Sequence, residues 1–134
     1  MEIKDPKGKY ILKVDKDRRL VYETLKGYWR LEDMERFHND YVSKIIPLFN
    51  GKEWAKCCYI NAYEAAMITD DIKSHVKWAV SNGFRKAAMI LEGNNQYNSV
   101  IDLQIRLAVK NTKLHLEKFE SINEADKWLK SEGF

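Results

Sequence analysis

The chain has 134 residues, of which 45% are hydrophobic and 32% charged, with only two prolines and six glycines. This length and composition indicate one globular domain spanning residues 1–134, and they exclude a disordered or low-complexity protein. The net charge of +3 is too small to predict a nucleic-acid-binding protein. The basic excess lies within residues 1–30, which we interpret as a solvated hairpin.

The N-terminal residues lack the apolar core of a signal peptide, and no apolar run approaches the roughly 20 residues of a membrane helix. We therefore expect a cytoplasmic protein without a transmembrane segment. Cys57 and Cys58 are adjacent in a predicted strand, where successive side chains point to opposite faces, so they are badly placed to bridge each other or share a metal. We interpret them as core residues in a reducing compartment, with a reactive thiol as the alternative.

Residues 10–14 and 20–25 are β-rich stretches separated by a polar turn, a pattern that predicts an antiparallel hairpin. Gly27 is expected to end the second strand. The residues that follow show apolar side chains at helical spacing as far as Pro47, which predicts one helix. Its predicted apolar positions are Met34, Phe37, Tyr41, Val42 and Ile45.

A nearly continuous apolar run at residues 54–60 is typical of a central strand that is covered on both faces. Thr69 as N-cap, with Asp70 and Asp71 in the first turn, predicts a second helix that ends at Gly83. The apolar face of that helix comprises Ile72, Val76, Ala79 and Val80.

Residues 86–91 and 114–119 are predicted strands on either side of a third helix, and a short closing helix begins at Ser121 or Asn123. The resulting order is ββαβαβαβα. It predicts an α/β fold with a mixed, mostly parallel sheet of about five strands and helices packed on it.

No residue cluster predicts catalysis, a metal site or a cofactor. His38, His75 and His115 lie in three different predicted elements, and none has a partner at metal-ligand spacing. Asp70 and Asp71 could act as a general acid–base pair or bind a divalent cation, but stabilisation of the helix dipole by about 0.3–1 kcal/mol explains them. We expect a protein that is not an enzyme.

Two places invite a pocket hypothesis. The loop at residues 92–95 follows a strand, where open α/β sheets bind ligands, but it lacks the glycine spacing of a phosphate loop. Trp78 lies partly off the apolar stripe of its helix and could frame an exposed apolar patch with Tyr63, Met67 and Ile68. Such a patch indicates a dimer interface or a ligand mouth, and the alternative is ordinary peripheral packing.

Five features of the chain belong together: the element order, Gly27 at the end of the second strand, the strand-to-helix passage through residues 55–72, the segment at residues 83–90 and the closing residues 119–129. In this combination the chain resembles the SpoIIAA-like family. The resemblance covers about residues 9–130. That family is related to the STAS domains of anti-sigma-factor antagonists, and in fold to the CRAL-TRIO lipid-binding domains. Likeness of fold does not by itself assign an activity.

The STAS resemblance implies a regulatory domain that binds a protein partner or a second copy of itself, with a phosphorylatable hydroxyl at the start of the helix after the third strand. Thr69 is the hydroxyl near that position, and it is also explained as a helix cap. The implied partner-binding residues are Thr69, Asp70, Asp71 and Lys73. The CRAL-TRIO resemblance implies instead a pocket for a small apolar ligand or lipid, lined by Tyr63, Met67, Trp78 and Tyr97.

Overall fold

The computed structural model describes residues 1–64, 68–92 and 98–134, with the backbone alone for residues 61 and 62. The strands and α-helices are β1 (Glu2–Lys4), β2 (Tyr10–Asp15), β3 (Leu20–Tyr28), α1 (Leu31–Asp40), β4 (Trp54–Glu64), α2 (Thr69–Ser81), β5 (Phe84–Ile90), α3 (Asn98–Val109), β6 (His115–Phe119) and α4 (Ile122–Ser131).

Within the described ranges, the strands form one sheet in the order β1-β2-β3-β4-β5-β6. The pairs β1–β2 and β2–β3 are antiparallel, and the pairs from β3 to β6 are parallel. The predicted α/β fold with a mixed, mostly parallel sheet is confirmed. The sheet has six described strands instead of about five, because the three-residue β1 is too short to show a period in the sequence.

Gly27 does not end its strand. β3 continues through it to Tyr28, after a register shift against β4 between Thr24 and Lys26. Gly27 has φ of 72°, a conformation that glycine adopts without strain and that accompanies irregular strand pairing. The prediction that Gly27 terminates the strand was therefore wrong.

The predicted first helix is continuous only as far as Asp40. A π-helical turn, Tyr41–Ile45, and a 3₁₀ turn, Ile46–Phe49, follow it. The wider π turn buries Tyr41 and Ile45 completely but leaves Val42 44% exposed, so Val42 does not belong to the apolar face. A helical period of 3.6 residues fails to predict this because the turn locally has a different period.

The two predicted helix caps had different outcomes. Thr69 is the first residue of α2, and the cap position is Ile68, which makes no side-chain cap hydrogen bond; the predicted Thr69 cap was wrong. Of the two alternatives for the closing helix, Ser121 is the cap, and its hydroxyl accepts a hydrogen bond from the Glu124 amide at 3.2 Å.

The two faces of the sheet carry separate cores. The larger core lies beneath α1, α2 and α3, and the smaller one lies beneath α4. Cys57 belongs to the smaller core, while Cys58 packs against the larger one, which confirms that the two thiols point to opposite faces. No helix in the described part of the chain is long and apolar enough to cross a membrane.

Gly83, between α2 and β5, is the tightest backbone approach among the described glycines. Its φ is 98°, and a Cβ placed there would lie 2.8 Å from the Lys52 carbonyl oxygen. Gly51 also has a positive φ, 76°, but nothing lies within 4 Å of its added Cβ. Substitution of these two glycines by alanine therefore distinguishes the cost of a positive φ from the cost of a steric clash.

We expect Gly83→Ala to lower the free energy of unfolding by about 1–3 kcal/mol more than Gly51→Ala, because only the first substitution adds a clash to the strain of a positive φ. Urea denaturation of both variants measures the difference. Equal losses would show that the Lys52 carbonyl moves away without cost.

Candidate functional site

The core beneath α1–α3 contains an ion pair between two sheet side chains. Alternation along the strands points Glu23 of β3 and Lys56 of β4 to the same face of the sheet. The Lys56 Nζ lies 2.9 Å from the Glu23 Oε2, and the two side chains are only 5% and 4% exposed. Buried charges of this kind are tolerated only when they are paired and hydrogen-bonded, so each residue requires the other.

Aromatic rings enclose the ammonium group. The Lys56 Nζ is 4.2 Å from the centroid of the Tyr41 ring, 5.1 Å from that of Phe84 and 5.3 Å from that of Phe37. These distances permit cation–π attraction, which is strongest where water is excluded. The amine thus sits in an electron-rich but otherwise apolar surrounding.

Glu23 accepts two further hydrogen bonds. The Tyr41 hydroxyl, positioned by the π-helical turn, donates to Oε2, and the Cys58 thiol donates to Oε1 at 3.2 Å. Burial and the neighbouring carboxylate raise the pKa of both the Tyr41 hydroxyl and the Cys58 thiol well above their ordinary values. Both groups therefore remain protonated donors, which argues against the reactive-thiol alternative for Cys58.

A pair of histidines extends this network outward. The Lys56 Nζ is 2.9 Å from the His75 Nε2, and the His75 Nδ1 is 3.0 Å from the His38 Nδ1. An ammonium group only donates, so the His75 Nε2 accepts and its proton resides on Nδ1. That proton is donated to the His38 Nδ1, which leaves the His38 proton on Nε2. The charge on Lys56 thus determines the tautomers of both rings.

Both imidazoles resist protonation. Burial, reinforced by the positive Lys56 and by His38, holds the pKa of His75 well below its ordinary value. Burial and Lys56 likewise lower the pKa of the half-buried His38. The ion pair and the two neutral rings form one chain of contacts from a buried carboxylate towards the surface.

An apolar cavity of about 100 Å³ lies beside this network, between the sheet and the three helices. We call it the inner cavity. Side chains of β3–β6 and of α1–α3 line it, and nearly all of them are apolar. The charged, imidazole, amide and thiol side chains of its wall are Glu23, Lys56, Cys58, His75 and Gln104.

A second depression, of about 440 Å³, lies between α1 and α2. We call it the outer groove. His75 belongs to the walls of both the inner cavity and the outer groove, and His38 lines only the groove. Met34 also lines both, so this methionine and the two histidines lie between the apolar interior and the more polar groove. The groove is lined by Leu31, Met34, Glu35, His38, Asn39, Asp71, Ser74, His75 and Trp78.

The residues predicted to line a ligand pocket do not form one site. Tyr63 is buried and lines the inner cavity, whereas Trp78 is half-buried and lines the outer groove. Met67 and Tyr97 lie outside the described residues, as do residues 93–95 of the predicted loop.

The predicted partner-binding residues occupy the start of α2. Asp70 and Lys73 are exposed, Thr69 is half-buried, and Asp71 lines the outer groove. Asp71 is thus the one member of this predicted set that lines the groove.

The sequence analysis missed the ion pair and the contact between the histidines. The available signal was a charged residue at an inward position of each of two apolar strands, Glu23 and Lys56, with opposite signs. His75 also falls at helical spacing between Ile72 and Ala79, on the apolar face of its helix. Within the described ranges, no group of three or more His, Cys, Asp or Glu side chains is arranged to hold a metal ion.

The two lowered pKa values give a pH dependence of stability. Below the ordinary imidazole pKa of 6.5, the unfolded chain binds protons at both positions more readily than the folded chain does. The free energy of unfolding should therefore fall as the pH drops below 6.5, by at most about 2.7 kcal/mol per pH unit for two protons.

Urea denaturation between about pH 7.5 and about pH 5 measures this slope. His38→Gln should remove about half of it, since one of the two groups is lost. His115→Gln is the matched control, because His115 lies on β6 beside Glu117 and away from the network. A slope that His38→Gln leaves unchanged would contradict the assignment.

Comparison of the chain with protein-family models, with curated proteins and with solved structures found no match. Its function is therefore inferred from the geometry of its own residues.

Proposed function

We propose that this chain is a binding domain for a small apolar ligand, which occupies the inner cavity. The observation that carries the proposal is an apolar cavity of about 100 Å³ with a paired amine, carboxylate and imidazole in one wall. Apolar cavities of this kind stay free of water and take up apolar molecules, while a few polar groups orient the ligand.

The volume limits the size of the ligand. A cavity of about 150 Å³ accommodates benzene, so the inner cavity suits a molecule somewhat smaller than benzene or a short aliphatic chain. A long lipid does not fit the described volume. The expectation of an apolar-ligand module is thereby narrowed to small molecules and short aliphatic chains.

The polar cluster supports binding more than catalytic turnover. Glu23 and Lys56 neutralise each other, and the Tyr41 and Cys58 donors are held protonated by burial. A general acid–base catalyst requires a group that can exchange its proton near the working pH. We therefore infer a protein that is not an enzyme and uses no cofactor.

A thermal-shift series with butan-1-ol tests the cavity, with benzene and pentane included as molecules at or above its size limit. At about one hundred times its dissociation constant, a ligand of the folded state should add about 2.7 kcal/mol to the free energy of unfolding. Ala108→Leu, which places a larger side chain in the cavity wall, should abolish the increase in Tm.

Ala87→Val fills the same cavity from β5 and serves as the second variant if Ala108→Leu does not fold. The matched control is Ala125→Val, on α4 at the other face of the sheet. An equal increase in Tm in the wild type and in a folded, cavity-filled variant would place the ligand elsewhere and refute the proposal.

A second candidate is a cytoplasmic, STAS-like regulatory domain that binds a protein partner or forms a homodimer and has no nucleic-acid role. One observation favours it: the N-terminal part of α2 presents Asp70 and Lys73 to solvent, and Asp71 lines the outer groove. The resemblance to the SpoIIAA-like family implies partner contacts at this helix start. Charged rim residues of this kind chiefly affect the rate and specificity of association.

If this candidate is right, the double variant Asp71→Asn/Lys73→Ala should weaken partner capture by about tenfold, since it removes two charges at the predicted contact. Quantitative affinity capture from the protein's own host, together with native mass spectrometry for self-association, measures the loss. Lys127→Ala, an exposed change on α4, is the control. Capture that the double variant leaves unchanged would count against this role.

A further inference from the structure

We propose that Lys56 captures a small aliphatic aldehyde or ketone in the inner cavity as a reversible protonated imine, with Glu23 as its counterion. The inference rests on the proposed function, because it assumes that a small apolar molecule enters this cavity. It adds the chemical class of the ligand and the atom that binds it.

The first argument is the position of the amine. Lys56 is the one lysine among the described residues that line the cavity, and its side chain is 5% exposed. An amine that condenses with a carbonyl group has to meet the carbonyl carbon while bulk water is excluded. The apolar wall supplies that exclusion.

The second argument is the charge balance. The ammonium group and the carbonyl compound combine to give a protonated imine and one molecule of water. The nitrogen carries one positive charge before and after this reaction, so Glu23, 2.9 Å away, keeps its ion-pair partner. Capture therefore leaves no uncompensated charge in the core, which would be costly.

The third argument is a proton acceptor beside the amine. Lys56 has to lose one proton before its lone pair can attack, and the His75 Nε2 lies 2.9 Å from Nζ to receive it. Burial is the largest cause of the low pKa of His75 and opposes this transfer, so the imidazole holds the proton only transiently; the second cause, the positive charge of Lys56, is removed as the proton moves.

The steps of imine formation conserve atoms and charge. The neutral amine forms a C–N bond to the carbonyl carbon, and the attacking nitrogen passes a proton to the oxygen, which gives a neutral carbinolamine. His75 returns its proton to the carbinolamine hydroxyl, which leaves as water while the nitrogen lone pair forms the C=N bond. No oxidant or reductant is required, and His75 ends as the neutral ring it was at the start.

The test uses butanal as the probe, with sodium cyanoborohydride to reduce the imine to a stable butyl amine on the full chain. Peptide mapping by mass spectrometry should show labelling of Lys56 about tenfold or more faster than that of the exposed Lys73 when butanal is limiting. Lys56→Arg retains the charge opposite Glu23 and should lose the rapidly formed label. His75→Gln should slow labelling at Lys56 but not at Lys73.

Butan-1-ol separates this inference from the proposed function, because it has the size of butanal but no carbonyl group. An increase in Tm with butan-1-ol together with no preferential label on Lys56 would refute imine capture while retaining the binding domain. No increase in Tm with butan-1-ol and no preferential label on Lys56 would overturn both. If a variant fails to fold, the peptide map of the wild-type protein still tests the proposal, because it compares the labelling of Lys56 and Lys73 in the same chain.

Discussion

The ion pair between Lys56 and Glu23 is the constraint around which the larger core is arranged. Two opposite charges lie in the interior of the sheet on neighbouring parallel strands, 2.9 Å apart. Removing one member of such a pair leaves the other charge buried without a partner, at a cost of about 3–5 kcal/mol. The surrounding helices satisfy the pair further: the π-helical turn after α1 supplies Tyr41 to the carboxylate, and α2 supplies His75 to the amine.

The same pair explains why two imidazoles lie between the inner cavity and the outer groove, where Met34 also lines both. The ammonium group requires an acceptor, and a neutral ring can accept on one nitrogen while it donates from the other. Lys56 therefore donates to His75, and His75 donates to His38, so the hydrogen bonds run in one direction from the interior to the groove wall. The proposed ligand binding, the proposed imine capture at Lys56 and the expected loss of stability at low pH all depend on this one connected arrangement.

Among the described residues, the opposite face of the sheet is stabilised without a buried ion pair in its core. α4 covers a small core that includes Leu20, Ala88 and Leu129, and the ion pair between Arg18 and Asp126 lies at its edge with a distance of 2.8 Å. There the charges remain partly exposed and the interior is apolar, so the face needs no buried network. The two faces use different side chains because successive strand residues point to opposite sides.

The sequence by itself determined the architecture, because β-rich or continuous apolar strands, period-3.6 helices and a polar cap at Ser121 or Asn123 are local patterns that need no distant residue. Cys57 and Cys58 could be assigned to opposite faces for the same reason. Glu23, Lys56, His38 and His75 come from four separate elements, and their meeting depends on the register of β3 against β4 and on the packing of α2 over α1. The short strand β1, the π-helical turn and the passage of β3 through Gly27 also have no local periodic signal. Tertiary structure alone decided the candidate site, because a buried charge finds its partner through the packing of elements that are distant in the sequence.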